Sequence, residues 1–410
     1  MVQIMRILLL SQWCQPEPFF KGVPFAKALK ARGHDVEILT GFPNYPGGKI
    51  YPGYRIRLFQ REVIDSIPVN RVALYPSHNH SGFHRILNYM SFALSAAAIG
   101  PLLVKKPDVI YAYNLITLEW AAWILKKWHR CPVVFDIQDM WPDSVTDSGM
   151  MQKSALLRVL NAWCKSVYRR ATHLTTLSPG FKNELVKRGI PKNNISVIYN
   201  WCDEANINES TSVPPETNNL MKDNAFIVMF AGTMGVMQGL DAILDAAERL
   251  LKIEPKIKFV FVGGGIECER IKKSAIDRSL ENVTFLERQP PERIKAILQM
   301  ADVLLVHLRD TALFKITIPS KVQAYMAAGK PILLGAIGDS ANIVRKSEAG
   351  VVVTPENPKS IANGILKLYR MTENERKRMG LKGLQYYKEK LSMDAGVQKF
   401  EKIFYKLIQN

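Results

Sequence analysis

The feature that most constrains this 410-residue chain is a pattern that runs twice. Short, almost purely apolar runs alternate with amphipathic stretches, first from Arg6 to Tyr199 and again from Phe226 to Arg370. A strand buried on both faces reads as a continuous apolar run, and parallel strands need crossover helices. The alternation therefore predicts parallel α/β sheets and excludes a helix bundle or an antiparallel sandwich. In the first half, strands are predicted at Arg6–Leu10, Asp35–Thr40, Asn70–Leu74, Val109–Tyr113, Val133–Ile137, His173–Leu177 and Ser196–Tyr199. Helices are predicted at Val23–Arg32, His84–Val104, Leu118–Trp128, Ser154–Arg170 and Gly180–Arg188, with Gly33 and Gly189 where C-caps belong.

Asp203–Asp223 breaks the pattern. It is polar, aperiodic and rich in Asn, Ser, Thr and Pro, as an interdomain connection is. Beyond it the strands restart at Phe226–Phe230, Lys258–Val262, Val283–Leu286, Val303–Val306, Ile332–Leu334 and Val351–Val353, with helices between them, and Glu373–Ile408 reads as one basic helical stretch. The expected fold is α/β, with two Rossmann-like lobes facing a cleft. The boundaries are a lobe at 1–202, a linker at 203–223, a lobe at 224–392 and a helix at 393–410. Ligands of such sheets bind beyond the carboxyl ends of the strands.

Composition narrows the function. Five scattered cysteines without a CxxC pair support neither a zinc site nor a disulfide framework. The apolar run Ile7–Leu10 is too short for a secretory signal. The net charge of +18 is uneven: residues 1–200 carry 25 Lys and Arg against 12 Asp and Glu, and residues 201–410 carry 30 against 25. A basic first lobe attracts phosphorylated ligands or anionic lipid, and no nucleic-acid motif accompanies it. Tyr89–Val104 is a 16-residue stretch without charge, flanked by Arg85 and by Lys105 and Lys106. Spanning a bilayer takes about 20 apolar residues. The stretch is thus a core helix, or one lying in the membrane interface with its basic flanks on headgroups.

The motifs fall in a fixed order. Arg6–Gln12 is followed by Gly22 and Gly33-His34, then by Gly41-Phe42-Pro43-Asn44-Tyr45-Pro46, Asp139-Met140-Trp141-Pro142-Asp143, Ser178-Pro179-Gly180-Phe181 and Asn200-Trp201. The second half adds Phe230-Ala231-Gly232 and Ile318-Pro319-Ser320-Lys321 through Gly329-Lys330-Pro331. On these residues the chain resembles a family 4 glycosyltransferase of the two-lobed GT-B type. It is most similar to the branch that builds O-antigen, capsule and colanic-acid polysaccharides, L-fucosamine transferases among them. The resemblance implies an acceptor-binding first lobe, a nucleotide-sugar-binding second lobe and a C-terminal helix packed back on the first. It also implies transfer with retained configuration from a nucleoside-diphosphate sugar, without metal or other cofactor. The partners implied are a UDP-sugar such as UDP-N-acetylfucosamine and a polyprenyl-diphosphate-linked saccharide. The enzyme is expected in the cytoplasm, peripheral on the inner face of the plasma membrane.

Without a metal, the leaving diphosphate must meet backbone N–H groups, helix N-termini and cations. In the second lobe these are expected from Ile318, Pro319, Ser320 and Lys321 at a helix start, with Lys315 nearby, and from Gly232, Gly235 and Gln238 in a strand-to-helix turn. Arg288 belongs to the loop beneath the base. The family's two glutamates, eight positions apart, fall here on Ile316 and Ala324, neither of which accepts a hydrogen bond through its side chain. Gln323 is the neighbouring candidate for a ribose hydroxyl. In the first lobe Gly22 opens beside the reacting sugar, and Lys21 is a candidate partner for a lipid phosphate, with Phe20, Asn44 and Tyr45 lining the acceptor. Asp139 is the candidate general base, with a helix N-cap as the competing role. Glu119 is a weaker candidate, read chiefly as a solvated helix start. Two alternatives stay open: a UDP-sugar 2-epimerase of the same architecture, and a non-catalytic nucleotide-sugar-binding scaffold.

Overall fold

A computed structural model of the protein describes residues 3–77, 82–141, 154–204 and 225–409. Pro142, Asp143 and all of the expected linker beyond Glu204 lie outside the described residues. The chain forms two compact α/β units. The first comprises Met1–Leu177, Phe181–Ile198 and Val397–Asn410, the second Ser178–Gly180 and Tyr199–Gly396.

The first unit is built on an eight-stranded sheet in the order β3-β4-β2-β1-β5-β6-β7-β8. Its strands are β1 (Arg6–Leu10), β2 (Asp35–Gly41), β3 (Phe59–Ile64), β4 (Ile67–Val72), β5 (Val109–Tyr113), β6 (Val133–Ile137), β7 (His173–Thr176) and β8 (Ile195–Val197). The central strands β1, β5 and β6 are buried almost throughout, which explains their unbroken apolar runs. The edge departs from the expected parallel sheet. β3 runs antiparallel to β4, pairing Phe59 with Val72 and Ile64 with Ile67. β3 alternates exposed and half-buried residues and carries Arg61 and Glu62, so it gives no apolar run. β4 spans Ile67–Val72 instead of the predicted Asn70–Leu74, because the hairpin pairing with β3 starts it at Ile67.

Helices α1 (Val23–Ala31), α2 (Gly82–Leu103), α3 (Glu119–His129), α4 (Ser154–Arg170) and α5 (Pro179–Lys187) make the crossovers. Gly33 (φ 95°) and Gly189 (φ 83°) end α1 and α5 in the left-handed region, where a Cβ would be strained.

The second unit has a six-stranded, all-parallel sheet in the order β11-β10-β9-β12-β13-β14. The strands are β9 (Phe226–Ala231), β10 (Ile257–Val262), β11 (Val283–Leu286), β12 (Val303–His307), β13 (Ile332–Gly335) and β14 (Gly350–Val353). Around it lie α6 (Asp241–Ile253), α7 (Cys268–Asp277), α8 (Pro291–Met300), α9 (Ala312–Ile316), α10 (Ser320–Ala327), α11 (Asp339–Lys346) and α12 (Pro358–Arg370). Two apolar clusters, one on each face of the sheet, form the core.

The helical stretch predicted at Glu373–Ile408 is interrupted. α13 (Glu373–Tyr386) opens with a reciprocal Thr372–Glu375 capping box, gives way to a π turn at Tyr387–Leu391, and α14 (Met393–Ile408) follows. From Val397 on, α14 belongs to the first unit. There Phe400 meets Phe25 at 5.3 Å and Tyr111 at 5.2 Å, and Glu401 accepts from His34 Nε2 (2.9 Å) and Arg32 (3.2 Å).

Candidate active site

In the second unit the carboxyl ends of β9 and β10 turn through glycines at positive φ: Gly232 (129°), Gly263 (130°) and Gly265 (147°). A Cβ on Gly263 would sit 2.3 Å from the Gly232 carbonyl oxygen, and one on Gly265 equally close to that of Met234. The two turns are stitched by Gly232 N–H to Val262 O and Met234 N–H to Gly264 O, both 2.8 Å. Only glycine permits backbone to approach backbone this closely.

Helix α10 is fastened to this turn by Tyr325. Its buried phenol accepts from the Ala231 amide at 2.9 Å and donates to the Ala231 carbonyl at 3.0 Å. One helical turn earlier, on the same face, Lys321 reaches over the Phe230 ring, its Nζ 4.7 Å from the centroid and beside Gly232. Burial pushes the Lys321 pKa down to about 8. No carboxylate among the described residues pairs with it. A desolvated cation without a counter-ion, beside exposed backbone at a helix start, is chemically prepared for an anion.

Other expected donor contacts are placed differently. Pro319 takes the N-cap position of α10, and Ser320, its first residue, makes no capping bond, because the Ser hydroxyl lies one position too late to cap. Ile318 is buried in the core, so its backbone alone is available. Gln238 does not substitute for a cation, since its Oε1 accepts the Gly235 amide at 2.8 Å and caps the turn. Lys315 is exposed and paired with Asp310 at 3.2 Å. Arg288 is exposed just beyond β11. Gln323 is 2% exposed, and its Oε1 has no hydrogen-bond partner. Ala324 packs half-buried against the core, and Ile316 is half-buried at the end of α9.

Sequence reasoning missed His307, the last residue of β12. Its Nδ1 lies 2.6 Å from the Gln238 carbonyl, and its Nε2 accepts the Glu356 amide at 2.9 Å. The pair of contacts fixes the neutral tautomer with the proton on Nδ1, and burial lowers the pKa. Its signal was available, as a polar residue closing an apolar strand.

In the first unit, β5, β6 and β7 and the loop after β1 gather a second polar group. Asp136, wholly buried, accepts at Oδ2 from Lys21 (2.6 Å), Tyr111 (2.7 Å) and Gln138 (3.0 Å), and at Oδ1 from Thr175 (2.8 Å). The Lys21 side chain is 0% exposed. The ammonium expected at a lipid phosphate is thus committed to Asp136, the nearest compensating charge for a buried cation. Its pKa is lowered by burial and pulled back by Asp136. Gly22, next in sequence, caps α1, and a Cβ there would lie 2.6 Å from Gln15 Oε1. Phe20 is half-buried beside the Lys21 ammonium.

Asp139 is exposed just past β6, and Asn114 orients it. Asn114 Nδ2 donates to Asp139 Oδ2 at 2.8 Å, while its Oδ1 accepts the amides of Gln138 and Asp139, both at 3.1 Å. Asn114 sits at φ 60°, a left-handed conformation that Asn tolerates better than most residues. The helix that Asp139 was expected to cap falls outside the described residues. Glu119 is buried rather than solvated, held by Arg170 at 3.2 Å, and burial raises its pKa.

Asn44 is 2% exposed and bonded at both ends of its amide, to the Phe42 carbonyl (3.0 Å) and from Asn88 Nδ2 (3.3 Å). Its side chain shapes the loop instead of reaching outward. Glu17 holds the same loop, accepting the Asn44 and Tyr45 amides at 2.8 Å each and the Cys14 amide at 3.0 Å. Tyr45, half-buried, packs on Trp13 at 5.4 Å. All five cysteines are free.

The glycine-rich edge of the second unit, with its unpaired cation, suits an anionic ligand, and the oriented carboxylate of the first unit suits proton transfer. Residues 24–201 match the glycosyl transferase 4-like domain, and residues 216–385 match the glycosyl transferases group 1 domain. The chain is a group 1 glycosyltransferase. It is 29% identical over 312 residues to WcaI of Escherichia coli K12, named as a colanic acid biosynthesis glycosyl transferase, covering 73% of this chain and 75% of that one. It is 26% identical to the glycosyltransferase WbjE of Pseudomonas aeruginosa over 55% of this chain and 57% of that one. In fold this glycosyltransferase is similar to Anabaena HepE, solved with UDP and glucose, at a TM-score of 0.66, 17% identity, and coverage of 98% of this chain and 100% of that one. The fold is therefore GT-B, with two Rossmann-like α/β sheets.

Proposed function

We propose that this glycosyltransferase moves a sugar from a nucleoside-diphosphate donor, a UDP-linked sugar, onto a polyprenyl-diphosphate-linked saccharide in surface-polysaccharide assembly. The observation that carries the reading is Lys321, a half-buried, desolvated ammonium without a carboxylate partner among the described residues, beside the Gly232 turn. A diphosphate supplies the missing charge, and the backbone amides that open α10 at Ser320 and Lys321 meet its charge as it grows on departure. HepE, similar in fold, binds UDP, and WcaI, similar in sequence, is named for a surface polysaccharide. Transfer proceeds without a metal and with retained configuration, Asp139 receiving the acceptor proton under the direction of Asn114. N-acetylfucosamine is the first sugar to test. The enzyme works at the cytoplasmic leaflet, held there through its basic first unit.

The test is a panel of UDP-sugars offered with a polyprenyl-diphosphate-GlcNAc analogue and read by mass spectrometry, with UDP binding followed by calorimetry. One glycosylated product and a measurable UDP affinity are expected. Free epimer formed without acceptor, or no UDP binding at millimolar concentration, overturns the reading.

A further inference from the structure

The outward face of α2 carries the wrong chemistry for water. This helix packs on the sheet through Phe92, Ala93 and Ala96, all 0% exposed, and through Gly100, whose close neighbours are Leu39 and Leu125. The opposite face of such a helix is ordinarily charged. Here it presents Phe83 (71% exposed), Ile86 (54%), Leu94 (54%) and Leu102 (73%) across a broad outward face. From Asn88 to Leu103 the helix has no charged residue.

Beside α2 the segment Arg55-Ile56-Arg57-Leu58-Phe59 is exposed throughout, alternating cation and apolar side chain into the edge strand β3. The two elements are joined where Arg61 donates to the Leu103 carbonyl at 3.1 Å. Lys105 and Lys106 are exposed immediately after the helix. Across residues 51–64 and 82–106 the one carboxylate is Glu62, and Arg71 pairs with it. The apolar face is thus rimmed by five exposed cations, Arg55, Arg57, Arg61, Lys105 and Lys106, and within those two segments Glu62 is the one acidic residue. A contiguous apolar patch framed in this way marks an interaction surface.

We infer that the outward face of α2, with the Arg55–Phe59 segment and Lys105–Lys106, docks in the headgroup region of an anionic leaflet, with α2 lying in the membrane plane. The inference rests on the proposed transfer to a lipid-linked acceptor and names the surface that brings the enzyme to it. Charge selects the occupant: the rim is cationic, so its complement is a sheet of phosphate headgroups over hydrocarbon. At 22 residues α2 is about 33 Å long, enough to cross a bilayer by length. Its inner face excludes that arrangement, because spanning would strip Phe92, Ala93 and Ala96 from the sheet and carry the buried Asn88, bonded to the Tyr75 carbonyl at 2.7 Å, out of its place.

The full chain is tested by co-sedimentation with vesicles of phosphatidylglycerol and phosphatidylcholine, and of phosphatidylcholine alone. Wild type is expected to bind the anionic vesicles, and to lose most of that binding in high salt. Leu94→Gln/Leu102→Gln is expected to weaken vesicle binding about tenfold or more, and Arg55→Ala/Arg57→Ala about 30-fold. Both should retain wild-type UDP affinity by calorimetry, which also reports folding; Phe83→Ser serves if either double variant does not fold. Unchanged vesicle binding in the apolar-face variants overturns the inference. So does a concentration-dependent dimer in light scattering that Leu94→Gln dissolves, since a second copy then covers the face. Loss of the docking surface leaves transfer to a water-soluble acceptor analogue unaffected, whereas failure of the transferase reading shows as no transfer to either acceptor with vesicle binding intact.

Discussion

Asn114 grips Asp139 twice, donating to its carboxylate at 2.8 Å and accepting its backbone amide at 3.1 Å. The contact joins the ends of β5 and β6 and aims an exposed carboxylate from a fixed backbone. Asp139→Asn is expected to lower kcat by about 100-fold or more, with UDP affinity unchanged by calorimetry. Asn114→Ala leaves the carboxylate present but unaimed, so kcat falls about tenfold while the protein still folds and binds UDP. Equal loss of UDP binding in either variant would show the pair to be structural.

Lys321 links donor binding to pH. Its folded pKa of about 8 lies below the ordinary lysine value of 10.5. The unfolded chain therefore holds the proton more tightly, and the unliganded protein gains stability as pH rises from about 8 to 10.5. A bound diphosphate favours the charged form. UDP binding at about pH 9, where its terminal phosphate is fully ionised, should thus take up close to one proton, and at about pH 7.5 only about a quarter of one, read from calorimetry in buffers of different ionisation enthalpy. Lys321→Met should abolish the uptake and weaken UDP binding about tenfold or more.

The Lys21–Asp136 pair is wholly buried. Removing one partner strands a charge, so Lys21→Met or Asp136→Leu should each cost about 3–5 kcal/mol in urea unfolding. The double variant, which removes both charges, should recover much of that loss. Additive losses would mean that the remaining bonds of Asp136 to Tyr111, Thr175 and Gln138 dominate.

His307 sets an acid limit. Burial depresses its folded pKa below the ordinary value of 6.5. Its contribution is complete above about pH 6.5 and is lost as pH falls through the folded value, because a second ring proton displaces the Glu356 amide. Thermal melts of His307→Gln should accordingly lose the part of the acid decline that wild type shows below about pH 6.5.

The strands buried on both faces were legible because burial forces apolar runs: β1, β5 and β6 fall where their sequences place them. β3 was not, since an edge strand with one wet face carries Arg61 and Glu62 among its apolar residues. The Gly232 turn and Lys321 were legible from local motifs. The partner of Lys21 was not, for Asp136 is 115 residues away and only the sheet order brings them together. Asn44 misled for a related reason: its loop signature is local, whereas the Asn88 and Glu17 bonds that turn it inward are not.

The packing of α14 on the first unit has a consequence for biosynthesis. Residues up to Ile198 leave the ribosome long before Phe400 and Glu401, yet Phe25, Tyr111, Arg32 and His34 complete their packing only against that late helix. The first unit to be synthesised is therefore the last to be completed. Until α14 arrives, the nascent chain leaves the rings of Phe25 and Tyr111 without Phe400, and a nonsense mutation before codon 400 would leave the half of the enzyme made first incomplete.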